Sequence, residues 1–122
     1  MKSLLVTSLL FIALLCTVIV NAFFVNHVTD QMEQMIINLP DLDNENLLTS
    51  GKRLCAYWEQ NADWLALSIG YNVIERVNEQ AALLLCCAES KDLYGYQAAR
   101  ALLLDAVGDV RRAEQFSIGN LL

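Results

Sequence analysis

Four cysteines, one histidine, a short acidic run and two tryptophans are the side chains of this 122-residue chain that could do chemistry. Cys16 sits within an apolar run, which leaves Cys55, Cys86 and Cys87 for thiol chemistry. The polar triplet Asn61-Ala62-Asp63 predicts the turn between two helices and places Cys55 near Ile69 across the hairpin. Cys86 then lies about 25 Å farther along at helical rise. A disulfide needs Cα atoms within about 7 Å, so the spacing predicts free or buried thiols, with a bridge between chains as the alternative. Adjacent Cys86 and Cys87 point about 100° apart on a helix, so at least one is expected to be buried as a small hydrophobe. A zinc site would need two further ligands that the pair lacks.

His27, the single histidine, has only Asp30 nearby to orient it, and reads as an interfacial polar residue. Asp41-Leu42-Asp43-Asn44-Glu45 resembles the start of a calcium loop, but Asn46 stands where glycine is needed and Lys52 where the bidentate glutamate belongs. The run reads instead as a helix start. Trp58 and Trp64 flank the expected turn, with Tyr57 and Tyr71 close by. Packing over the end of a hairpin is the expectation, with a membrane-belt or ligand role as the alternative. There is no glycine-rich phosphate loop, no Ser–His–Asp set and no Cys–His pair at useful spacing. The sequence therefore predicts no cofactor, no metal site and no enzymatic activity.

The elements that hold these residues begin with a membrane segment. No charged residue occurs from Ser3 to Asn26, and about 20 apolar residues suffice for a spanning helix. The bilayer is thus an expected partner through residues 3–25. Lys2 lies on one side and Asp30 and Glu33 on the other, which puts the N-terminus in the cytoplasm and residues from 27 onward outside. The competing reading is a signal peptide cut after Ala22, since Val20 and Ala22 occupy the positions a peptidase reads. The apolar run continuing through Phe23-Phe24-Val25 favours an uncleaved anchor. The chain thus divides into a 1–26 transmembrane anchor and a 27–122 exported helical domain. A net charge of −6, with all fourteen acidic residues past the anchor, excludes nucleic acid as a partner.

Past the anchor, apolar residues recur at helical spacing. Val28, Met32, Met35, Ile36 and Leu39 form one face, capped by Asp30 and Glu33 or running on unbroken from the membrane, and Pro40 ends it. Leu47, Gly51, Leu54 and Trp58 mark a second helix. Leu67, Ile74, Val77, Ala81, Leu84 and Ala88 mark a third, with Tyr71 between. Glu89-Ser90-Lys91-Asp92 is a turn. Tyr96, Ala99, Leu103, Ala106, Val110 and Ala113 mark the last helix, with Gly108-Asp109 a candidate break and 116–122 an apolar tail packing back on the bundle. The fold class is all-α: an N-terminal transmembrane helix followed by a small three-helix bundle or helical hairpins.

Leu103 to Phe116, with its Gly-Asp turn followed by alanine and an aromatic, resembles part of a tetratricopeptide repeat, although one copy cannot bury its faces. Trp58 to Ile69 and the ending Glu114 to Leu122 carry a second resemblance. They are similar to the membrane-anchored proteins of Gram-positive, clostridia-type bacteria described as domain of unknown function 4363. Tyr71 stands where members of that family often carry histidine. The resemblance implies an exported helical part behind one anchor, and no catalytic residues. The expected function is that of a non-enzymatic, extracytoplasmic accessory or interaction subunit. Its partner would be a membrane protein or a second copy, and a secreted binding domain released after Ala22 is the alternative. The contact residues expected for it are Trp58, Trp64, Tyr71, Leu93, Tyr94, Tyr96, Leu121 and Leu122.

Overall fold

Apolar residues at spacings of three and four decide where the chain coils, and one glycine and two polar links decide where it turns. A computed structural model describes the backbone of residues 1–121 and the side chains of residues 1–120. The helices are α1 (Lys2–Ile37), α2 (Leu47–Ile69), α3 (Tyr71–Glu89) and α4 (Leu93–Leu121), with no strand among the described residues. The all-α expectation holds.

α1 is a single rod of 36 residues, about 54 Å long at helical rise. Its first half is long and apolar enough to cross a membrane and is exposed from Met1 to Leu14. Its second half contributes Val25, Val28, Met32 and Ile36 to the core. The expected three-helix bundle is therefore a four-helix, up-down-up-down bundle, because the N-terminal apolar segment runs without interruption into the fourth wall. Asp30 and Glu33 start no helix. They pair instead with Arg111 of α4.

Two sequence expectations about turns are corrected. α2 does not stop at Asn61-Ala62-Asp63 but runs to Ile69, and the bend is made by Gly70 alone, with φ 109° and ψ 145°, a conformation only glycine adopts without strain. The burial pattern shows why. Leu47, Gly51, Leu54, Trp58, Ala62 and Leu65 form one buried stripe, whereas Ile74, Val77, Ala81, Leu84 and Ala88 form a second that is out of phase with it. Leu67, expected in the third helix's seam, falls at the end of α2 and is exposed. At the other correction, Gly108 breaks nothing: α4 passes through Gly108-Asp109 as one helix, which also removes the helix-turn-helix that a tetratricopeptide unit requires. Nor does a tail pack back, since α4 continues to Leu121 and Phe116 is exposed.

The end of the bundle far from the N-terminus is tied by polar bonds. Arg100 of α4 donates to the carbonyls of Ile36 and Ile37 at 3.1 and 2.6 Å, satisfying the C-terminal turn of α1 with a cation where the helix dipole favours one. The Tyr96 hydroxyl donates to Pro40 O at 2.9 Å, and Lys91 Nζ to Leu42 O at 3.0 Å. The acidic run after Pro40 forms a turn, with Asn44 O accepting from Leu47 N. α2 starts only at Leu47, with no side-chain cap and no acidic residue in its first turn, contrary to the helix start expected at Asp41–Glu45. Asp92 does serve as a cap, accepting from Gly95 N at 3.0 Å.

Candidate functional site

The opposite end of the bundle brings together the last turns of α2, the first of α3, the last of α4 and the middle of α1. Here the helices diverge and leave a cleft of ≈ 640 Å³ between α1 and α2, walled by Val20, Phe24 and Trp64 and edged by Asn21, Gln60 and Asn61. A second hollow of ≈ 340 Å³ shares Thr17, Asn21 and Trp64 and opens toward α4 at Glu114, Ser117 and Ile118. Both are apolar walls with a few convergent polar groups, the usual make-up of a binding site.

Glu114 is the charged member of this constellation. It is 4% exposed, and Asn21 Nδ2 donates to its Oε2 at 3.4 Å. Burial pushes its carboxyl above the ordinary carboxylate range, because the desolvated anion is disfavoured. Sequence reading missed both partners. The signals were a lone asparagine inside an apolar run, and a glutamate four residues beyond Val110 on the stripe that otherwise carries the α4 core.

The singled-out aromatic residues separate into different places. Trp58 is 1% exposed and donates its Nε1–H to Asn78 Oδ1 at 2.6 Å. It is a core residue twelve positions before the real bend, not a flank of the turn. Trp64 is 68% exposed and Tyr71 67% exposed, so neither packs over the hairpin end as expected. Tyr96, named both on the apolar stripe of the last helix and among the contact residues, is buried and bonded to Pro40, so the stripe holds and the contact role does not. Tyr94 and Leu93 are exposed at the far end of the bundle. Leu121 closes α4, but its side chain, like all of Leu122, lies outside the described residues.

The thiols take no common position. Moving the bend to Gly70 brings Cys55 beside α3, where its Sγ–H points to Ala81 O at 3.8 Å. Cys55 therefore does not face Ile69 across a hairpin as expected, and all four cysteines are free in the fold. Cys87 is buried as a small hydrophobe and Cys86 is exposed, as the adjacent pair predicts. Burial pushes both the Cys55 and Cys87 thiols up, with Glu59 adding to the first and Asp92 to the second. His27 is exposed on α1. Among the described residues no group of three His, Cys, Asp or Glu converges on a metal-sized space.

Ion pairs tie α4 to α3 on one side and to α1 on the other just beyond the cleft. Arg76 of α3 meets Asp105 at 2.9 Å and also Asp109, while Arg112 reaches Asp109 within α4. Arg111 bridges to α1, contacting Asp30, Glu33 Oε1 at 3.1 Å and Thr29 Oγ1 at 3.1 Å. No family model, curated protein or solved structure matches the chain.

Proposed function

We propose that the chain is a single-pass membrane protein whose bundle stands outside the membrane as a non-enzymatic accessory or interaction subunit. One observation carries the reading: α1 is exposed, uncharged from Ser3 and predominantly apolar over its first turns, yet becomes a full member of a closed core from Val25 onward. An exposed apolar rod of this length needs lipid around it. Lys2 on one side and the acidic bundle on the other support a cytoplasmic N-terminus and an extracytoplasmic C-terminal domain. Membership of the domain of unknown function 4363 belongs to the same proposal, resting on Trp58 to Ile69 and the Glu114 to Leu122 ending.

The cleft beside Asn21 and Glu114 supplies the docking position for a partner's transmembrane or juxtamembrane helix, offering small and polar side chains of the kind that hold helices together in lipid. The test is purification of a C-terminally tagged chain from its own membranes in mild detergent. A stoichiometric integral membrane protein is the expected companion. Recovery of the chain alone would overturn the accessory role, and an intact mass beginning at Phe23 would overturn the anchor in favour of a secreted domain.

A further inference from the structure

We infer that the cleft end of the bundle does not sit above the membrane but is immersed in it, so that Trp64, Leu67, Tyr71 and Phe116 form a lipid-contacting surface. The inference rests on the anchor reading and follows from a length. α1 stands clear of the rest of the protein only from Lys2 to Leu14, and Leu15 is its first shielded residue. That free stretch is about 20 Å long at helical rise, whereas the hydrocarbon core of a bilayer is about 30 Å thick. The free part of the helix falls short by about 10 Å, or nearly two turns. For α1 to cross, the span must extend to the neighbourhood of Asn21, and at that level the helix is already flanked by Trp64, Leu67 and Ile118.

Composition at that end fits immersion on a second, independent count. The hairpin from Trp64 through Gly70 to Ile74 carries no charge, and neither does α4 from Gln115 to Leu121. These are separate parts of the sequence, and the fold places both at the level where α1 is uncharged. Four large apolar or aromatic side chains point outward there, with Trp64 68%, Leu67 80%, Tyr71 67% and Phe116 72% exposed. In water such a cluster is unfavourable. At the boundary between headgroups and acyl chains, tryptophan and tyrosine are the preferred residues. One acid does lie at this level, Glu114, but it is buried and turned inward onto Asn21 rather than toward the lipid-facing surface. The nearest surface charges, Asp63, Glu75 and Arg76, mark where the charged surface begins. The occupant of this surface is therefore the outer leaflet of the bilayer.

The test reads Trp64 directly. The full chain is reconstituted into phosphatidylcholine vesicles whose acyl chains carry bromine near the headgroup end, alongside W64F, a substitution at an exposed position. The expected result is loss of emission in the wild type that W64F abolishes, because the remaining Trp58 is buried, together with protection of Trp64 from iodide present on both sides of the membrane. Two results overturn the immersion while leaving the anchor standing: a carbonate-resistant chain whose Trp64 is quenched by iodide and not by brominated lipid, or one protected from both quenchers with cross-linking to a second copy. A chain that carbonate extracts would fail the anchor reading and the immersion with it.

Discussion

At Gly95, the first turn of α4 passes so close to α3 that no larger residue fits without movement. A Cβ there would lie 2.5 Å from Asp92 Oδ2 and 2.8 Å from Cys87 Sγ. Gly95→Ala gains helix propensity of about 1 kcal/mol. Against that stand the displacement of the Asp92 cap, which costs about 0.5–2 kcal/mol, and overpacking against a buried sulfur, which costs about 1–3 kcal/mol. The net expectation is a loss of about 1–3 kcal/mol, read as a lower urea midpoint of helix signal in mild detergent. Gly51 is the control: its Cβ would crowd the Leu85 Cδ2 at 2.9 Å, the far end of a half-buried side chain that can rotate away, and would reach Leu84 Cδ2 at 3.9 Å, an ordinary van der Waals contact. Gly51→Ala should therefore be neutral or slightly stabilising. If the sulfur is the obstacle, Cys87→Ala relieves it, and Gly95→Ala becomes less costly in that background by at least about 0.5 kcal/mol. An unchanged midpoint for Gly95→Ala, or an equal loss with and without Cys87, would refute the packing argument.

Trp58→Phe removes the indole N–H that Asn78 Oδ1 accepts; the loss of a part-buried hydrogen bond and of buried ring volume should lower stability by about 2 kcal/mol in the same unfolding assay. Glu114 makes the fold more stable in mild acid: its folded carboxyl titrates above the unfolded one, so the folded state holds the proton more tightly and stability falls as pH rises from the ordinary carboxylate value through the raised one. Glu114→Gln should flatten that pH dependence and raise stability at neutral pH; melting curves at pH 5 and pH 7 that move alike in both proteins would contradict it. In intact membranes a water-soluble maleimide should label Cys86 within the first minutes and leave Cys16 untouched, with Cys55 and Cys87 reacting only after denaturation, a pattern that mass spectrometry of the peptides reads directly.

Much of the architecture was legible because burial follows periodicity. The stripes Val28-Met32-Ile36, Leu47-Gly51-Leu54-Trp58, Ile74-Val77-Ala81-Leu84-Ala88 and Tyr96-Ala99-Leu103-Ala106-Val110 are all buried as their spacing predicts. The misread bend has a physical cause. Asn61 and Asp63 look like turn residues, but Asn61 Nδ2 donates back to Tyr57 O at 2.8 Å within a continuing helix. Of the five glycines only Gly70 needs a positive φ, and Gly51, Gly95, Gly108 and Gly119 lie inside helices. Identity alone could not separate them, whereas the phase slip between Leu65 and Ile74 could. The cleft end was illegible for another reason: Asn21 and Glu114 are 93 residues apart in the chain, and nothing local in either segment shows that α4 folds back along α1.

α1 contains neither glycine nor proline between Lys2 and Ile37, so the rod has no swivel between its exposed apolar half, the proposed span, and the half built into the core. Whatever tilts the span tilts the whole molecule. Membrane helices commonly lean by about 20° and adjust that lean to bilayer thickness. Each further 10° would swing the far end of a rod about 54 Å long sideways by about 9 Å, carrying Tyr94 and Leu93 with it. Rotation of the same rod about its own axis turns every face of the bundle by an equal angle. As the proposed anchor, α1 would thus make the protein a lever planted in lipid, with the direction of its far end set by the thickness and neighbours of the membrane around its base.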